Sequence, residues 1–446
     1  MIIKTANIKR NIVFVTLTIV MFFFMFSPKI TYLPLWNVLP SGRYVFMLIS
    51  GIYFFTSYNK RFTLKFNSAA RLLAIFLFIG TMYSFMIIIL KDNSSYINFV
   101  FPLQYIVSFF EYFLGIYLLL NIYRHFKFDV DDVLTSYSII FFVQSIIVLL
   151  YITLEPVKLL FDNLKGDIDF GGKEWFFFRG AMFSLSNLAT GSLYLSVGAI
   201  ISIYLFFWRK KPYPFGIAVT VITTIAVITQ GRMGFLGIFL AVFLFLYGIF
   251  PKYKKFLSKK TIAFIAVFTM LFLYSSFIFY NNNKFMIEII NNWAGGFFNV
   301  IVEGKEGDGS FNELVTNHLY LPKSLSTLFF GDGIWQNKDR SYYGYTDSGY
   351  VRNILFYGIF MVILEVISFI AIAYYTYKLY RQTNFMNYNS RKVLSYIVLS
   401  FWGVLLISNI KSPVIYSGVD TIKFCYLLML LPLVFGNRGE KKCCSQ

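Results

Sequence analysis

The charges of this chain fall between apolar runs of about 16 to 25 residues, and that spacing constrains the fold more than any other feature. A helix needs about that length to cross a roughly 30 Å hydrocarbon core, and a bilayer admits only structures that satisfy their own backbone. The runs lie near 11–26, 43–57, 71–90, 97–122, 134–155, 187–208, 213–229, 232–250, 261–280, 349–376, 393–408 and 415–435. With 58% of residues hydrophobic and 14% charged, the chain reads as an all-α polytopic integral membrane protein. About twelve transmembrane helices are expected, within one membrane domain over 1–446. The first run follows Lys4, Lys9 and Arg10, like the start of a secretory signal, but Ser27-Pro28-Lys29 is a poor cleavage site. It reads as a retained first span.

Basic residues set the orientation, because segments rich in Lys and Arg stay on the cytoplasmic side. Alternate gaps carry Lys60, Arg61 and Lys65; Arg124 and Lys127; Arg209, Lys210 and Lys211; Lys252 to Lys260; Lys378, Arg381, Arg391 and Lys392; and, at the tail, Arg438, Lys441 and Lys442. Both termini are therefore expected in the cytoplasm, and the net charge of +19 follows from topology. Nucleic acid is not an expected partner, since the basic clusters are short, scattered and without a binding-fold pattern. Of the three cysteines, Cys425 falls in the last run and Cys443 and Cys444 in the tail, with neither a disulfide framework nor zinc spacing.

Two outward segments are then substantial, 156–186 and the large loop 281–348 between the ninth and tenth spans. A long loop in a polytopic protein is where function usually sits. In the smaller segment Arg179 stands in the aromatic run Trp175 to Phe183, which suits either an interfacial anchor or a phosphate contact. The turn Thr229-Gln230-Gly231-Arg232 leaves Arg232 at the apolar boundary, either snorkelling or binding a ligand, with Gly231 and Gly234 permitting close approach of backbone or ligand. Thr346-Asp347-Ser348-Gly349-Tyr350-Val351-Arg352 opens the tenth span with a helix-start signature in which either Asp347 or Ser348 serves as the cap. Arg352 then lies inside an apolar helix with no bland reason to be there. The sixth, eighth, tenth and twelfth spans would point their N-termini outward, and helix N-termini favour anions. With Arg179, Arg232, Arg340 and Arg352 nearby, the outer face suits a dianion such as a pyrophosphate, which guanidinium forks grip well.

His318 is the one outward histidine, either a base or incidental. The acidic residues Glu303, Glu306, Asp308 and Glu313 lack calcium-loop spacing, and there is neither a phosphate-binding Gly-Lys-Ser/Thr loop nor an HExxH pair. No metal site and no cofactor are expected. Trp293, Trp335, Tyr342, Tyr343 and Tyr345 suit either stacking on sugars or packing on one another.

With these motifs in order, the chain resembles the O-antigen polymerase (Wzy) family, in the superfamily that also holds the O-antigen ligases. The resemblance rests on the span count, the late outward loop, Leu328-Phe329-Phe330-Gly331-Asp332-Gly333, the Thr346 to Arg352 segment followed by Tyr357-Gly358, Gln230-Gly231-Arg232-Met233-Gly234-Phe235, and the Phe-Arg-Gly-x-x-x-Ser pattern at Arg179. It implies a bacterial inner-membrane protein with a periplasmic large loop, acting on oligosaccharide units linked by pyrophosphate to undecaprenol. Its reaction would move the growing glycan from its lipid pyrophosphate onto the incoming unit, with no metal. On that reading Arg232 and Arg352 hold the pyrophosphate, and Arg179 and Arg340 assist with phosphate or sugar. His318 or Asp347 assists the acceptor hydroxyl, and Ser348 and Tyr350 complete the substrate-binding candidates. Partners would be membrane lipid, a chain-length regulator and a flippase. The rivals are an O-antigen ligase, for which a firmer histidine motif is expected, and a lipid-linked oligosaccharide flippase or transporter, for which midplane charges and inverted repeats are expected.

Overall fold

The computed structural model describes residues 2–26, 67–92, 96–165, 188–209, 213–231, 233–249, 314–337, 343–414 and 421–436. The expected spans at 43–57 and 261–280 lie outside them. The chain divides into two compact units, one of Met1–Leu240 with Leu321–Gln446 and one of Ala241–Tyr320.

The described elements are helical: α1 Ile2–Phe26, α2 Ser68–Leu90, α3 Tyr96–His125, α4 Val130–Thr153, α5 Glu155–Lys165, α6 Leu188–Trp208, α7 Gly216–Gln230, α8 Gly234–Ile249, α9 Leu325–Phe330, α10 Gly349–Gln382, α11 Tyr388–Ser408 and α12 Thr421–Phe435. Five of them, α2, α4, α6 from Thr190 on, α10 and α11, are long and apolar enough to cross a membrane. Shorter apolar helices lie in α1, α7, α8 and α12. The protein is an α-helical, multi-pass membrane protein. Helix α2 turns Ile75, Phe78, Met82 and Ile89 outward and α10 turns out Phe360, Ile363 and Ile367, the apolar exposure a lipid-facing surface requires.

At the centre of the first unit α6 is buried along almost its whole length, packed against α4 and α7. Lipid is as apolar as leucine, so such helices associate through close packing and small polar contacts. Ser138 and Ser202 share a 2.7 Å hydrogen bond, and Ser145 donates to Thr223 at 3.3 Å. Each such contact contributes about 0.6 kcal/mol. Gly234 lets α8 meet α6: its N–H donates to Ser192 Oγ at 3.0 Å, and a Cβ there would lie 2.8 Å from the Ser192 carbonyl oxygen.

The helix ends of this unit sort into two groups. At one end Asp132, in the capping box of α4, pairs with Arg10 at 3.3 Å and Arg209 at 3.6 Å. There too Ser390 donates to Trp208 O at 2.8 Å and Arg124 to Val434 O at 2.7 Å. At the other end Lys91 donates to Ser326 Oγ at 2.9 Å and Tyr350 to Leu406 O at 2.7 Å, while Lys423 reaches the last carbonyls of α1.

Two segments differ from the sequence expectation. The fifth run was expected to continue to 155, but α4 ends at Thr153 and α5 starts at Glu155, with Pro156 in its first turn where a missing N–H costs nothing. Helix α5 is amphipathic in sequence, its apolar residues recurring at helical spacing among charged ones. The tenth run was expected as one continuous helix over 349–376. It breaks at Gly358, whose φ of 83° and ψ of 168° only glycine adopts readily, so α10 consists of a short first half, 349–357, and a long second half, 359–382.

Candidate functional site

The site is built where α10 begins. Ser348 caps the helix, accepting the Val351 N–H at 3.4 Å, and Thr346 Oγ1 accepts the Ser348 N–H at 3.1 Å. Of the two cap candidates it is therefore Ser348 that serves, and Asp347 stands exposed beside it. Arg352 follows one turn later and is only 4% exposed. Its guanidinium carbon lies 4.0 Å from the centre of the Trp335 ring. A desolvated stack of this kind is worth about 2 kcal/mol. Stacking uses the flat face of the guanidinium, whereas its hydrogen bonds form at the edge, in the plane, the geometry that grips phosphate oxygens.

Trp335 is itself held from three directions. Its backbone N–H donates to Asn98 Oδ1 of α3 at 3.1 Å, its carbonyl accepts the Tyr343 N–H at 3.4 Å, and its ring meets Phe356 edge-on at 5.9 Å. It is buried, so of the two roles weighed for the loop aromatics it takes packing, while Tyr345 stands exposed.

The chain reaches Trp335 through Gly331-Asp332-Gly333, which clasps the break in α10. The turn at Gly358 removes the helical partners of the preceding carbonyls, and Asp332 N–H takes Leu355 O at 2.8 Å while Gly333 N–H takes Phe356 O at 2.9 Å. Gly331, at φ 76° and ψ 175°, presses against Phe356 O, and Gly358 against Phe329 O, so closely that a Cβ at either would collide with backbone. The Asp332 carboxylate closes the clasp, accepting from Thr327 Oγ1 at 3.0 Å and Tyr343 OH at 2.9 Å. The loop motif and Tyr357-Gly358 are thus two halves of one structural joint.

No protein-family model, curated protein or solved structure matches the chain. The site is therefore read from its own chemistry.

Of the residues singled out in the sequence, α10 brings Asp347, Ser348, Tyr350 and Arg352 into two turns. Tyr350 ties α10 to α11 through Leu406 O. His318 closes a π-helical turn, Leu314–His318, in the second compact unit. Burial pushes the neighbouring Tyr320 phenol above its ordinary range. Arg179, Arg232 and Arg340 lie outside the described residues, as do Trp293 and Tyr342.

Among the described residues, Glu365 and Lys423 are fully buried charges that escaped the sequence reading. Glu365 is fully buried midway along α10, where its Oε2 accepts from Asn353 Nδ2 at 3.1 Å and Tyr357 OH at 3.0 Å. Lys423, also fully buried, donates from Nζ to Phe24 O at 3.1 Å and Met25 O at 2.8 Å, with the Tyr112 ring 4.9 Å away. It thereby meets the partial negative charge where α1 ends. The signal was present in both cases: an ionisable residue inside an apolar run is conspicuous by its cost. Glu365 also stands away from the helix ends, where the sequence reading placed the charges.

Proposed function

We propose that the protein polymerises oligosaccharide units carried on undecaprenyl pyrophosphate, at the periplasmic face of a bacterial inner membrane. The observation that carries this reading is Arg352: a buried guanidinium, stacked on Trp335, one turn inside a capped helix N-terminus. An anion held there gains from the guanidinium and from the helix end together. In the proposed topology twelve spans cross the membrane, and the end bearing Arg10, Arg124 and Arg209 faces the cytoplasm. The end bearing Ser348 and Arg352 then faces outward.

In the reaction, an acceptor hydroxyl oxygen bonds to the anomeric carbon of the growing chain as the carbon–oxygen bond to pyrophosphate breaks. The electron pair leaves with lipid pyrophosphate, and the hydroxyl proton passes to Asp347. The leaving group is already a stable anion, so the demands on the protein are alignment of the two substrates and neutralisation of charge developing on phosphate. Arg352, with Arg232, supplies the second, and Arg179 and Arg340 assist with phosphate or sugar. A chain-length regulator and a flippase would act alongside.

A second reading is favoured by a different observation. Broken helices beside buried carboxylates are a feature of secondary transporters, and α10 combines a break at Gly358 with Glu365. That reading makes the protein a flippase for the same lipid-linked unit.

One experiment separates these readings: the surface polysaccharide profile of a strain lacking the gene, before and after complementation. The polymerase reading expects single repeat units still attached to the lipid core. Complete loss of surface glycan, with lipid-linked units accumulating, would reject it. Accumulation on the cytoplasmic side would identify a flippase, and on the outer side a ligase.

A further inference from the structure

The hydrogen bonds of Glu365 cross the break in α10. Asn353 and Glu365 are 12 residues apart, which an unbroken α-helix would stretch to roughly 18 Å along its axis. Their 3.1 Å contact exists because the chain turns at Gly358, and it joins the second half of α10 to the first. Tyr357, the last residue before the turn, brings its hydroxyl to the same carboxylate oxygen at 3.0 Å. Both donors belong to the segment that carries the site. Asn353 follows Arg352 directly, and Phe356, beside Tyr357, packs edge-on against the indole under Arg352. The first half is therefore held near its C-terminal end by the Asp332 and Gly333 amides on its last carbonyls and by one buried carboxylate on its side chains, while Tyr350 ties its start to α11.

We propose that Glu365 is a positioning residue for the Arg352 site: it accepts from Asn353 and Tyr357 across the break and so fixes the first half of α10 where Arg352 lies over Trp335. This rests on the reading of Arg352 as a pyrophosphate-binding group. Removing the acceptor breaks both side-chain hydrogen bonds across the break and releases one of the holds on the segment. Glutamine keeps a carbonyl oxygen with two lone pairs in the same place.

The test uses the full-length protein labelled with 5-fluorotryptophan, the Trp335 fluorine resonance being assigned by its loss in Trp335→Phe. Glu365→Leu is expected to displace that resonance toward its position in Arg352→Ala, and to lower the rate of glycan lengthening about tenfold with KM little changed. Glu365→Gln is expected to leave the resonance in place and the rate within about threefold. Should the leucine variant fail to accumulate, Tyr357→Phe removes one donor alone and is expected to displace the same resonance by a smaller amount. A resonance unmoved in these variants, an unchanged rate for Glu365→Leu in otherwise active protein, or a glutamine variant as damaged as the leucine one overturns the proposal. A displaced resonance in a protein whose wild type lengthens no glycan upholds the positioning of Arg352 and rejects the polymerase reading instead.

Discussion

Arg352 shows what one residue reveals and conceals. Its charge inside an apolar run is costly, and that cost was visible in the sequence. Its partner was not. Trp335 is one of several aromatics in a polar loop, and only the fold selects it, through Asn98 on one side and Phe356 on the other. The pair predicts an asymmetry between substitutions. Arg352→Ala is expected to reduce glycan lengthening by about a hundredfold or more while the protein still inserts, the scale of losing a charge-stabilising group. Arg352→Lys is expected to recover only part of the loss, because an ammonium lacks both the bidentate fork and the flat face that stacks on the indole. Lengthening assays on membranes with matched protein levels check both, and normal chain lengths in the alanine variant would sink the pyrophosphate assignment. Ser348 makes the complementary point. The start signature was legible, but whether Asp347 or Ser348 caps the helix depended on which side chain turns inward.

At the scale of elements, α10 and the segment 331–333 are folded against each other. Each satisfies the other: the break in α10 leaves carbonyls that need donors, and the loop supplies amides that need acceptors. The two glycines at the contact adopt a backbone region open almost only to glycine, and holding a residue with a Cβ there costs about 1–3 kcal/mol before any collision is counted. Gly358→Ala and Gly331→Ala are each expected to lower the thermal unfolding midpoint of the detergent-solubilised protein by several degrees. Gly403→Ala, in α11, is the control: a Cβ there meets nothing within 4 Å, so its midpoint is expected unchanged or slightly higher. Equal losses in all three would show that the joint at Gly358 carries no special strain. The sequence set Leu328 to Gly333 and Tyr357-Gly358 in one order of motifs with the Thr346 to Arg352 segment between them, and the structure brings the two into direct contact.

For the whole molecule, the sorting of helix ends gives orientation a direct test. In a background with Cys443 and Cys444 replaced by serine, a cysteine at exposed Asp347 should react with a membrane-impermeant maleimide in intact cells. One at exposed Arg381 should react only after permeabilisation. The reverse pattern would put Arg352 on the cytoplasmic face and remove the outward site. The sequence by itself determined that the chain is a helical membrane protein, and within the described residues its apolar runs fall on helices, because the length of a span and the cost of its charges are local properties. Tertiary structure decided what no local rule contains. Gly358 inside an apolar run is compatible with a continuous span, and at the observed break the Asp332 and Gly333 amides take the freed carbonyls. Glu365 becomes a hub, Lys423 a contact for the end of α1, and Trp335 the platform for Arg352, because each role depends on groups brought together from elsewhere in the chain by packing.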